Sequence, residues 1–134
     1  GKEMGMLTTI EIEPDLPAVQ CDAIMIQQVL VNLLKNAMEA SQGTGSKVVR
    51  LSVARRGGAV HFRVSDQGEG VSEEALSHLF DPFFTTKSAG LGIGLNLCRS
   101  IIETHQGRLW HEPNAGGGAV FCFSLPVAAD TVQS

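Results

Sequence analysis

Residues 27–40 (QQVLVNLLKNAMEA) are apolar at helical spacing, yet three of their amides, Gln28, Asn32 and Asn36, stand four residues apart. Side chains at i and i+4 lie one above another on a helix. The amides therefore line one edge of a buried flank made of Val29, Leu30, Leu33, Leu34, Ala37 and Met38. This pattern demands a long helix packed on a core. It also raises a chemical question, because a solvated edge is more readily built from Glu and Lys. Asn in mid-helix competes with its own backbone, so two of them carry a local cost. Oxygen ligands for a hard cation would be one reason to bear it.

The chain has 134 residues, 43% of them apolar and 18% charged, enough for one domain with a single core. A net charge of −4 and a pI near 5.5 speak against an electrostatic nucleic-acid binder. Any phosphate ligand must then be held locally. Cys21, Cys98 and Cys122 are odd in number and form no CxxC pair, so they read as buried free thiols of a reducing cytoplasm. No apolar stretch approaches the roughly 20 residues of a spanning helix. The expectation is a soluble, cytoplasmic, monomeric domain over residues 1–134, without direct membrane contact.

Residues 7–13 alternate and end at Pro14 and Pro17, as an edge strand does before a turn. Asp22 then caps the long helix, which should run to about Ser41. Residues 48–54 and 59–65 alternate on either side of Arg55, Arg56, Gly57 and Gly58, a hairpin signature. Ser72 with Glu73 and Glu74 opens a short helix to about Phe80, stopped by Pro82. Residues 95–105 recur at helical spacing, with Gly107 as the C-terminal stop. Residues 108–112 and 119–125 are two more strands, joined by a turn through Asn114-Ala115-Gly116-Gly117-Gly118. About five strands and three helices, with at least two hairpins, favour an α/β fold in which helices cover one face of a mixed, mainly antiparallel sheet.

Three loops carry candidate chemistry. Asp66 ends an apolar strand just before Gly68 and Gly70, where its carboxylate either accepts a hydrogen bond from an exocyclic amine such as that of adenine or simply turns the chain. Residues 80–87 (FDPFFTTK) hold three phenylalanines, two hydroxyls and a cation. They form either a satellite apolar cluster or a segment pinned to the core that offers Thr85, Thr86 and Lys87 to a phosphate. Gly90, Leu91, Gly92, Ile93, Gly94 and Leu95 run straight into a helix whose N-terminal N–H groups and dipole attract an anion. This is neither a Walker loop, lacking Gly-Lys-Ser/Thr, nor a dinucleotide fingerprint, lacking a preceding strand.

The order along the chain is specific: Asn32-Leu33-Leu34-Lys35-Asn36-Ala37, then Asp66-x-Gly68-x-Gly70, then Phe80-x-x-Phe83-Phe84, then Gly90-x-Gly92-x-Gly94-Leu95. It resembles the catalytic, ATP-binding domain of bacterial sensor histidine kinases, whose N, G1, F and G2 boxes these stretches match over residues 7–126. The short lid ending in Thr85-Thr86-Lys87 is most similar to the oxygen-sensing and nitrogen-regulation type. The resemblance implies a two-layer α/β sandwich, shared with gyrase-type and chaperone-type ATPases, that holds ATP and Mg²⁺. It implies that Asn36 coordinates Mg²⁺, that Asn32 lies near the phosphates, and that Asp66 reads the adenine amino group over a floor shaped by Gly68 and Gly70. Gly90, Leu91, Gly92, Gly94 and Leu95 would surround the triphosphate with Thr86, and Lys87 would reach the γ-phosphate. The catalytic pair is then Asn36 and Lys87.

The resemblance further implies γ-phosphoryl transfer to a histidine on a helical dimerisation domain of the same kinase, for relay to the receiver domain of a response regulator. No such acceptor is expected within this chain: His61, His78, His105 and His111 sit in strand or helix contexts and read as structural. Two departures stand out. Glu39 follows Asn36 by three residues, near where many relatives carry a basic side chain, and Ala119 stands where related ATPases often place a hydroxyl near adenine. Hydrolytic relatives carry a glutamate one turn before the metal-binding asparagine, and here that position is Asn32. The alternatives are a related ATPase of the same fold and a nucleotide-sensing module that signals by ordering its lid.

Overall fold

The computed structural model describes residues 7–42, 48–67, 94–113 and 117–128. In chain order these form β1 (Leu7–Ile12), α1 (Ala23–Gln42), β2 (Val48–Arg56), β3 (Ala59–Asp66), α2 (Leu95–Thr104), β4 (Arg108–Pro113) and β5 (Ala119–Pro126). The expected short helix at residues 72–80 lies outside the described residues. The five strands make one sheet in the order β1-β2-β3-β5-β4. β1 pairs parallel with β2 at one edge, and every other neighbour is antiparallel. The mixed, mainly antiparallel sheet expected from the strand pattern is what forms.

Strand alternation divides the sheet into two faces. Val49, Leu51 and Val53 of β2, Val60 and Val64 of β3, Phe123 and Leu125 of β5 and Leu109 of β4 are buried together with Ile26, Val29, Leu33 and Ala37 of α1 and Cys98, Ile101 and Ile102 of α2. The opposite face is polar: Arg63 pairs with Glu112 at 3.1 Å, and Trp110 Nε1 donates to Glu112 Oε2 at 2.8 Å. The Trp110 bond first, and Arg63 second, hold the Glu112 carboxyl below its ordinary range.

The ends of the elements follow local rules. Asp22 Oδ1 accepts the N–H groups of Ile24 and Met25 at 3.1 and 3.3 Å, an N-cap of the kind that contributes about 1 kcal/mol. The β2–β3 hairpin is tighter than the four loop residues expected, because Arg55 and Arg56 pair with Val60 and Ala59. Only Gly57 and Gly58 remain to turn the chain, Gly57 at φ 62°.

The end of α2 departs from the expectation that Gly107 stops it through its conformational freedom. The left-handed residue is Gln106, at φ 65°. Gln106 N–H bonds to Glu103 O and Gly107 N–H to Ile102 O, both at 2.9 Å, which is the Schellman pattern with Gln in the usual glycine place. Gly107 is required for a different reason: a Cβ there would sit 1.8 Å from the Ser124 carbonyl oxygen. One cysteine also departs from expectation. Cys98 and Cys122 are buried free thiols, but Cys21, on the connection before the Asp22 cap, is exposed.

Candidate functional site

The two helices fix which end of the sandwich can be a site. Val19, just before α1, bridges Val127 beyond the end of β5, and Asp22 N–H donates to His105 Nε2 at 3.0 Å. The other ring nitrogen of His105 lies 2.8 Å from Ile101 O, so this histidine ties the start of α1 to the end of α2, as its structural reading required. From there α1 runs the length of the sheet toward the edge where Val49 faces Asp66. α2 runs the other way and ends with Gly107 against Ser124. Asn36 in the second half of α1, Asp66 at the last position of β3, and Gly94 and Leu95 at the start of α2 consequently share one end.

Asp66 is buried, at 3% exposure, and its Oδ1 accepts the Ala119 N–H from β5 at 3.2 Å. The contribution of position 119 therefore runs through its backbone rather than through the hydroxyl that related ATPases often have. That N–H is aimed by two glycines the sequence marked only as a turn. Gly117 and Gly118 take φ of 105° and 90°, and a Cβ on Gly118 would lie 2.2 Å from Asp66 O. Gly118→Ala is therefore expected to destabilise the domain by roughly 2 kcal/mol, since both the left-handed backbone and the close approach are lost. A thermal melt checks this, and an unchanged midpoint would mean that the contact relaxes freely.

The amide line splits into three environments. Gln28 is exposed. Asn32 is 4% exposed and donates from Nδ2 to Cys98 Sγ at 3.4 Å, a contact between α1 and α2. Burial pushes the Cys98 thiol up to about 11, so the sulfur meets that N–H as a neutral, weak acceptor. Asn36 Oδ1 is buried and has no hydrogen-bond partner among the described residues. Buried polar atoms are nearly always satisfied, so this amide oxygen beside the Asp66 end is open to a ligand or an ordered water. Among the described residues no group of three or more His, Cys, Asp or Glu side chains could hold a metal.

Gly94 is the N-cap of α2, extended at φ −80° and ψ 171°, and no side chain among the described residues caps the first turn. Its carbonyl takes the Leu97 and Cys98 N–H groups, each at 3.1 Å. The first N–H groups of such a helix have no intrahelical acceptors and carry the positive end of its dipole. Gly68, Gly70, Thr86, Lys87, Gly90, Leu91 and Gly92 lie outside the described residues. Sequence reasoning missed Cys98 and Gly118, whose partners stand far away in the chain.

The family model for histidine kinase-, DNA gyrase B-, and HSP90-like ATPases matches residues 21–129. The chain belongs to this ATPase family. Within it the similarity is to sensor kinases. The C4-dicarboxylate transport sensor protein DctS of Rhodobacter capsulatus is 52% identical over 119 residues, which cover 87% of this chain and 18% of DctS. The sensor protein FixL of Bradyrhizobium diazoefficiens is 42% identical over 129 residues, 96% of this chain and 26% of FixL. The chain thus spans about a quarter or less of the length of these relatives. Among solved structures, the nucleotide-free catalytic domain of histidine kinase ThkA matches with a TM-score of 0.81 at 34% identity, over 94% of this chain and 82% of that one. Full-length ShkA in complex with AMPPNP matches with a TM-score of 0.80 at 27% identity, over 96% of this chain and 27% of that one. Over nearly its whole length this ATPase domain is thus similar to the catalytic domain of histidine kinase ThkA and to a segment of the sensor proteins DctS and FixL.

Proposed function

We propose that the domain holds ATP with Mg²⁺ at the shared end of α1, β3 and α2 and presents the γ-phosphate to a histidine on the helical dimerisation domain of the same protein, for relay to a response-regulator receiver domain. The observation that carries the reading is the buried, unpartnered Asn36 Oδ1, with Asn32 rather than a hydrolytic glutamate one turn earlier. Support comes from ShkA, solved with AMPPNP, and from ThkA, also solved in complex with the response regulator TrrA.

Each residue has a physical task in this scheme. Asp66, steadied by the Ala119 N–H, accepts a hydrogen bond from the adenine amino group. Asn36 Oδ1 suits Mg²⁺, which takes hard oxygen ligands. When bound, that ion neutralises charge shared between the β- and γ-phosphates. Asn32, held by Cys98, stands beside the phosphates, and the N–H groups that open α2 at Gly94 and Leu95 receive phosphate oxygens. From the segments outside the described residues, Gly68 and Gly70 shape the floor of the base pocket. Gly90, Leu91, Gly92 and Thr86 surround the triphosphate, and Lys87 meets the γ-phosphate. Phosphoryl transfer depends mainly on positioning and charge stabilisation, which this set supplies without a general base.

Kinase and sensor readings separate when the domain is mixed with the histidine-bearing domain of the same protein and ATP labelled at the γ-phosphate. Label is expected on the histidine of that second domain. Tight ATP binding with no label transferred would favour a nucleotide sensor.

A further inference from the structure

Among the described residues two buried side-chain polar atoms have no hydrogen-bond partner, Asn36 Oδ1 and His111 Nε2. The scheme above uses the first. The second belongs to β4, and no role has yet been given to it. Strand register puts His111 opposite Phe121, and Phe121 opposite Val64, on the face that the helices cover. Asp66 lies two residues beyond Val64 on that same face. The imidazole leans on Phe121, with ring centroids 5.1 Å apart at 56°.

Burial lowers the His111 pKa below its ordinary value, and the Asp66 carboxylate is close enough to oppose that shift. At neutral pH the ring is therefore uncharged, with one N–H donor and one acceptor nitrogen. A ring nitrogen left without a partner in the interior is unfavourable unless a ligand or an ordered water completes it. Adenine offers a suitable edge: its amino group is a donor, and ring nitrogens that accept stand on either side of it. Guanine carries a carbonyl oxygen in place of that amino group, which a carboxylate repels.

We infer that His111 is a second base-recognition residue of the nucleotide pocket, its Nε2–H donating to adenine N1, beside the amino group that Asp66 receives. This rests on the reading of Asp66 as the adenine contact. The pair then reads a donor at the exocyclic position and an acceptor at N1, and guanine presents the reverse, a carbonyl oxygen and an N1–H.

His111→Phe keeps a planar ring against Phe121 and removes both nitrogens. In calorimetry with ATP and GTP, it should raise the ATP Kd about tenfold and leave the GTP Kd unchanged. In the unsubstituted chain, ¹⁵N spectra of the histidine rings should show the His111 Nε2 resonance move when AMPPNP is added. A folded His111→Phe chain that binds ATP as tightly as the original would overturn the inference. So would a His111 resonance unmoved by nucleotide, a readout that does not depend on how the variant folds. Asp66→Asn, measured beside it, separates the two ideas. If Asp66→Asn weakens ATP and His111→Phe does not, only the His111 role falls. If neither does, the base end of the pocket has been misplaced.

Discussion

Asn36→Ala is expected to weaken ATP binding on the order of 10²-fold in the presence of Mg²⁺ and to change it little in EDTA. The buried Oδ1 of Asn36 has no partner among the described residues, and in the proposed site its role is to bind the metal. Alanine is the better residue for mid-helix, by roughly 0.6 kcal/mol, and it removes an unsatisfied buried oxygen. The nucleotide-free variant should accordingly melt at the same temperature as the parent or a higher one. Lost function with gained stability is the signature of a side chain retained for its ligand. Titration calorimetry with and without Mg²⁺ and a thermal melt measure both halves. Unchanged affinity in Mg²⁺ would remove the metal assignment, and a lower melting point would show that the amide has a structural partner.

Patterns within one element were legible in the sequence, and the amide line is the clearest case. Its spacing marked α1, and its chemistry marked an edge facing something polar. The order of the four motifs gave the family, because glycine loops, an aspartate at a strand end and paired asparagines retain their spacing whatever surrounds them. What lay across the fold could not be read. Asn32 meets Cys98, 66 residues later, and no local pattern announces that contact. Gly118 looked like a turn residue, and its second duty against Asp66 exists only once β3 and β5 are in register. Gly107 shows the same limit from the other side. Its position one residue past a Schellman turn resembles a helix stop, but what excludes a side chain is the Ser124 carbonyl of a neighbouring strand. His111 was set aside because it sits in a strand and reads as structural. Its relation to Asp66 crosses two strand boundaries.

Asp66→Asn tests the base end of the site independently of the metal. The ratio of ATP to GTP affinity should fall roughly 10- to 100-fold, on the scale of about 1.5–3 kcal/mol for a hydrogen bond to a charged group. The fold should survive. An asparagine keeps an amide oxygen for the Ala119 N–H, which the wild-type carboxylate accepts at 3.2 Å, and it offers an NH₂ in place of the second oxygen. That NH₂ repels the adenine amino group and suits the carbonyl oxygen of guanine, so the loss is directed at one base rather than at nucleotides in general. ATP and GTP titrations of the same preparation decide the matter, with ADP and GDP showing whether the effect is independent of the γ-phosphate. Equal losses for both bases, with a lowered melting point, would instead mean that the carboxylate serves mainly to hold the start of β5 against the end of β3.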